Sequence, residues 1–172
     1  MKPLQTNCGS RVSRAEVLSQ LRIHWLEGPF PAGLPYTQVS GFCFTDAGKL
    51  LLIRDQGEYG IPGGKPETGE THVQTLIREV MEEAQCELEK FTFVGYRRIE
   101  GDPNWLEGRP HAQVRYACWI RAVGPQVVDI ATERMFERSF WTPRAAVRCL
   151  NWGDEGVQQV SSACRALGVP WI

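Results

Sequence analysis

The chain is 172 residues long and carries 19 Lys plus Arg against 20 Asp plus Glu, a formal net charge of -1. That length suits one compact domain with a full core, and 42% hydrophobic with 23% charged residues excludes a chain that is disordered throughout. The near-neutral total argues against coating duplex nucleic acid or an acidic membrane, and no stretch approaches the ~20 apolar residues of a membrane helix.

The first residues contain no apolar signal core, and the six cysteines (Cys8, Cys43, Cys86, Cys118, Cys149 and Cys164) are scattered without a CxxC pair. Free thiols in a reducing cytoplasm are therefore expected. Residues 13–25 space Val17, Leu18, Leu21, Ile23 and Trp25 as an amphipathic helix would, after Ser13 and Glu16 in capping positions. Residues 28–35, rich in Gly and Pro, end any regular structure. Strands are predicted at 37–44 and 49–54 around a hairpin turn at 45–48, and again at 91–99 and 112–122 across a long Gly/Pro/Asn-containing connection at 100–110. A strand at 138–142, a short helix from Pro143 and a helix at 154–167 stopped by Gly168 complete the chain. Strands on both sides of a central helix indicate a mixed α/β domain. It is read as a single domain over 1–172, with 1–35 a helical extension packed on the core.

The net charge conceals an asymmetry. Between Glu67 and Glu89 seven glutamates meet one arginine, a local charge of -6, which leaves +5 for the rest of the chain. Like charge at this density opposes folding unless something neutralises it or water solvates it. Within it, Thr71 and Gln74 form a capping box, so a helix is predicted from His72 to about Gln85. At about 100° per residue, Glu79, Glu82 and Glu83 fall within an arc of roughly 100°, with Val73, Leu76, Ile77, Val80 and Ala84 on another.

Three converging carboxylates suit a hard cation, Mg²⁺ or Mn²⁺, which takes oxygen ligands and retains exchangeable waters. Gly63 and Gly64, stiffened by Pro62, let a loop carbonyl or amide come close to a metal or phosphate. Glu70 precedes the helix, and Arg78, two turns on, is positioned to pair with it or with a ligand carboxylate. A solvated Glu-rich helix face is the competing reading of any one Glu-Glu pair. The complete spacing from Gly64 through Glu70 and Arg78-Glu79 to Glu82-Glu83 has an accidental chance on the order of 10⁻⁷ per start position.

This spacing resembles the box of the Nudix hydrolase (MutT-like) family over Gly64 to Cys86, and Ile61 to Glu67 also looks like family usage. One position departs: Gln85 stands where the box has a helix-ending Gly, so it either extends the helix or takes a left-handed conformation at a cost on the order of 1 kcal/mol. The resemblance implies an α/β/α sandwich with a mixed sheet. It also implies Mg²⁺- or Mn²⁺-dependent hydrolysis of a phosphoanhydride in a nucleoside diphosphate linked to another moiety. Glu79, Glu82, Glu83 and a Gly63 carbonyl would hold metal, and Glu70 and Arg78 would position them. Family members often recruit a further acid beyond the box, for which Glu137 and Glu133 are best placed in chain order; a surface role for either is the alternative.

Arg97, Arg98, Arg109 and Arg115 offer forked donors for phosphate, and Trp105, in the long loop, offers a stacking surface, although core packing is its alternative. Arg97, Trp105 and Arg115 are taken as substrate-binding candidates, and the histidines as structural. A fold-sharing nucleotide sensor without turnover, and a prenyl diphosphate isomerase, are the competing functions. The expected partner is a small nucleotide diphosphate derivative, with no membrane and no nucleic-acid duplex. The resemblance adds a homodimer, for which Trp25 and Phe30 are either interface or cover for the chain's own core.

Overall fold

The computed structural model describes residues 21–102, 104, 108–127 and 136–172. Strands β1 (Arg22–Leu26), β2 (Tyr36–Phe44), β3 (Leu50–Asp55), β4 (Glu58–Gly60) and β5 (Gly63–Gly64) precede helix α1 (His72–Ala84). Long strands β6 (Cys86–Glu100) and β7 (His111–Val123) follow, then β8 (Glu137–Trp141) and helices α2 (Pro143–Leu150) and α3 (Gly153–Leu167).

The strands form one mixed sheet in the order β1-β6-β7-β2-β3-β4, with β5 added to β2 and β8 to β3. Only β2 and β7 run parallel, in register from Val39↔Val114 to Phe44↔Trp119. Parallel neighbours need a long crossover, and here it carries β3 to β6 together with α1.

Side-chain alternation along the strands builds two cores. Val39, Cys43, Leu51, Ile53, Val114 and Cys118 face α1 and meet Leu76, Val80 and Ala84. Phe42, Phe44, Leu50, Leu52 and Ala117 face the other way, onto Ala146, Leu150, Val160 and Ala163 of α2 and α3. The result is the expected α/β/α layering. The same parity sends Gln113 and Arg115 of β7 toward α3, and the Arg115 side chain meets Gln159 there.

Two expectations need correction. The helix predicted for 13–25 is a strand where the structure describes it: Arg22–Leu26 pairs antiparallel with β6 from Arg22↔Glu100 to Leu26↔Tyr96. Ile23 and Trp25 are half-buried between exposed neighbours, a period of two that a free sheet edge selected over the helical period. Residues 13–20 lie outside the described residues. Ile77, placed on the buried arc, is 43% exposed, and Thr75 is buried in its stead. Trp25 and Phe30 pack on the chain's own two cores.

Gln85 ends the helix in the left-handed conformation, at φ 52°. Its backbone N–H donates to the Met81 carbonyl at 3.1 Å and its side-chain amide donates to the same oxygen at 2.7 Å. Arg138 caps the adjacent Ala84 carbonyl at 2.6 Å. The role of the absent glycine is thus filled by two side chains.

Candidate active site

Helix α1 begins where its capping box predicts: Gln74 N–H donates to the Thr71 hydroxyl at 3.3 Å, and Thr71 N–H donates to the Gln74 side chain at 2.9 Å. From this start, Arg78 and the three helix carboxylates project toward the β5 loop.

Arg78 is the hub. Its Nε and Nη2 donate to the two oxygens of Glu70 at 2.8 and 3.0 Å, its Nη1 donates to Glu79 at 2.8 Å and Glu82 at 3.2 Å, and Nη2 also reaches the Lys65 carbonyl at 2.9 Å. A forked pair of this kind fixes both side chains in one geometry. Glu70 further accepts the Glu67 backbone N–H and the Thr75 hydroxyl, each at 2.9 Å. Arg78, followed by the Glu67 amide, holds the Glu70 carboxyl down at about 2. The same carboxylates push the Arg78 guanidinium up, so it stays charged at any working pH.

Glu79 is different. Burial pushes its carboxyl up against the pull of Arg78, and Glu82 and Glu70 add to the rise. A carboxylate held out of water among other carboxylates is what a cation would relieve. The loop is shaped around it: a Cβ on Gly64 would collide with the Glu79 carboxylate, so only glycine leaves that space. Gly63, at φ 149°, is pressed against the backbone of Val39 and Ser40, and its N–H donates to Glu83 at 2.8 Å.

No three His, Cys, Asp or Glu side chains among the described residues stand together as a ready metal cage. Glu79 and Glu82 are drawn to Arg78, and Glu83 to the Gly63 amide. The donor set still fits a hard cation: three carboxylates on one helix face beside a glycine cradle, with oxygen donors throughout.

The remaining candidates lie apart from this hub. Glu137 is exposed at the start of β8 and pairs with Arg54 at 3.4 Å. Its neighbour Arg138 reaches the Ala84 carbonyl, so β8 begins beside the end of the acidic helix. Arg97 pairs with Glu155 of α3 at 2.6 Å. Arg115 is buried, and burial, with Arg97 nearby, lowers its guanidinium to about 9. Trp105 and Glu133 lie outside the described residues. The histidines stay out of the site; His72 meets the Tyr116 hydroxyl at 3.3 Å.

Sequence reasoning missed a cleft of about 370 Å³ lined by Thr37, Gln38, Gly64, Lys65 and Gln113, which opens onto the glycine loop. Lys65 was legible as the cation following Gly64. Gln113 was not, because only the β6–β7 register brings it to the cleft.

Residues 34–159 match the family described as NUDIX domain, well over half of the chain. No curated protein matches the sequence. Among solved structures, a Bacillus subtilis pyrophosphohydrolase is similar at a TM-score of 0.66 and 18% identity, over 86% of this chain and 93% of that one. A NUDIX hydrolase from Nitrosomonas europaea follows at 0.58 and 17%, over 80% and 92%. A UDP-X diphosphatase stands at 0.55 and 14%, over 79% and 66%. At these identities the likeness is one of fold.

Proposed function

The chain belongs to the Nudix family, and from that premise we propose that it is a Mg²⁺- or Mn²⁺-dependent hydrolase of a nucleoside diphosphate linked to another moiety. The observation that carries this reading is the Arg78 hub, which aligns Glu70, Glu79 and Glu82 beside Gly64, with Glu83 anchored on Gly63. Glu79, Glu82, Glu83 and the Gly63 carbonyl would hold the cation, which when bound neutralises the diphosphate and makes water a stronger nucleophile.

This chain's own residues supply the rest. Lys65 brings a positive charge to the cleft where the diphosphate would lie. Glu70 and Arg78 are positioning residues, since each acts through the carboxylates it holds. Glu137 is the candidate base: exposed at the mouth of β8, it would take the proton as water adds to phosphorus and the bridging P–O bond breaks to give two phosphate products. The reading of a silent sensor drew its only sequence support from Gln85, and that residue caps the helix without displacing the carboxylates.

A cytoplasmic setting and a homodimer belong to the proposal as well. The described cysteines are all free thiols. No helix of the described residues is long and apolar enough to cross a membrane. The test of function is turnover of a panel of nucleotide diphosphate derivatives with Mg²⁺ and with Mn²⁺. Hydrolysis that falls by orders of magnitude in Glu82→Gln and Glu83→Gln supports the reading; no turnover by the wild type, or full turnover by both variants, overturns it.

A further inference from the structure

Between the sheet and the start of α3 lies a cavity of about 180 Å³ lined by Arg97, Trp152, Glu155 and Gln159. Its polar wall is a closed ring of five side chains. Arg97 donates to Glu155 at 2.6 Å and to Gln113 at 3.0 Å; Arg115 donates to that same Gln113 oxygen and to Gln159, both at 3.3 Å; Gln159 donates back to Glu155 at 2.8 Å. Two cations, one anion and two amides leave one positive charge in excess, and Arg115, which carries the buried half of it, forms no ion pair among the described residues. A satisfied ring of this kind is rigid, because each member fixes the next.

Three features distinguish this cavity from a packing defect. The two donors to Glu155 within the ring, Arg97 Nε and Gln159 Nε2, both reach Oε1, so among the described residues Oε2 accepts nothing and Arg97 Nη2 donates to nothing. One acceptor and one donor are thus left on two side chains that line the same cavity. Trp152 gives the cavity an aromatic wall, seated by Gly156, where a Cβ would press into the Trp152 Cβ at 2.7 Å. Finally, Gln113 belongs both to the ring and to the lining of the cleft at Gly64 and Lys65, so the cavity adjoins the candidate site.

We propose that this cavity takes the nucleobase of the substrate and selects bases with an amide edge, a ring C=O beside a ring N–H, as in guanine, hypoxanthine, uracil and thymine. Arg97 Nη2 donates to the carbonyl, Glu155 Oε2 accepts the N–H, and Trp152 contacts the ring face. With the diphosphate held at the Lys65 cleft fixing which way the base enters, adenine and cytosine present donor and acceptor in the reverse order along that edge and leave Glu155 facing an acceptor. A phosphate is disfavoured here by the Glu155 carboxylate and the indole, and belongs at Lys65. The inference rests on the hydrolase reading only in taking a nucleotide as the ligand.

Two readouts separate the two readings. Binding of GMP, UMP, AMP and CMP, followed by tryptophan fluorescence without turnover, is expected to favour GMP and UMP by on the order of tenfold to a hundredfold. Trp152→Phe should abolish the fluorescence change, and Glu155→Gln should erase the preference. Selective binding without hydrolysis of any derivative would sink the hydrolase reading and leave the pocket standing. Hydrolysis with no base preference, a preference for AMP or CMP, or a preference unchanged in Glu155→Gln, overturns the pocket. Quenching by inorganic phosphate equal to that by GMP overturns it also. Should Glu155→Gln fail to fold, the wild-type ranking and Trp152→Phe decide.

Discussion

Replacing Gly64 by alanine separates the position of the Glu79 carboxylate from the stability of the fold. Gly64 lies in an ordinary backbone region, opposite Val39 in the β5–β2 pair, so alanine costs no conformational strain there. The three atoms nearest its Cβ all belong to the end of the Glu79 side chain, which must retreat by about 1 Å to reach ordinary contact. The retreat removes the 2.8 Å bond to Arg78 and moves a carboxylate more buried than Glu70 or Glu82. A displacement of this size at a reacting centre lowers kcat by about a hundredfold. The side chain is flexible, so stability should fall by about 1 kcal/mol or less, a shift of roughly 2–4 °C in Tm for a chain of this size. Product formation from the best substrate of the nucleotide panel at saturating Mg²⁺, with a thermal melt of the same preparation, measures both. Gly63→Ala is the contrast, because its Cβ strikes the backbone of Val39 and Ser40 and should destabilise the chain outright. A Gly64→Ala enzyme with wild-type kcat would falsify the placement of Glu79 in the reacting centre.

Gln85→Gly should raise stability by about 0.5–1 kcal/mol by relieving a left-handed residue, offset in part by the lost bond to Met81, with activity unchanged; a lower melting temperature contradicts this. Glu70, held at about 2 by Arg78, stabilises the metal-free fold fully above its ordinary value of 4.5 and loses that contribution as pH falls from 4.5 through about 2. Urea unfolding of wild type and Glu70→Gln should therefore differ at pH 6 and converge near pH 2; an equal gap at both pH values rejects the argument. Burial pushes the Cys43, Cys86 and Cys164 thiols up, the last to about 11. Cys149, only half-buried, should react with a maleimide at pH 8 well before those three, as mass spectrometry after proteolysis would show; faster labelling of Cys43 runs against the fold.

What the sequence made legible was local. The capping box placed the start of α1 at His72, the strand-like runs at 37–44 and 112–122 placed β2 and β7 within a residue or two, and the box spacing brought Glu70, Arg78 and Glu79 together as expected. Prediction failed where a distant partner decides. Residues 22–26 fit both periods, and the free edge of β6, 70 or more positions away, selected the strand. Arg97 and Arg115 were visible as cations but not as members of a ring, since Gln159 lies 44 residues beyond Arg115 and Glu155 lies 58 beyond Arg97. Glu155 read only as part of the terminal helix predicted at 154–167, and nothing in the sequence singled out Trp152.

The parallel pairing of β2 with β7 has a kinetic consequence. Val39 meets Val114 only when a segment of about 75 residues has closed, and α1 with its carboxylates lies inside that segment. The antiparallel pair β6–β7 closes over a far shorter connection and should form early. Helix α1 seats on Val39 and Cys43 of β2 together with Val114 and Cys118 of β7, so the proposed cation seat is complete only once this long closure has been made. In stopped-flow refolding, affinity for Mn²⁺ should emerge after most of the strand signal; a nascent chain would be compact before it is capable of holding the proposed cation.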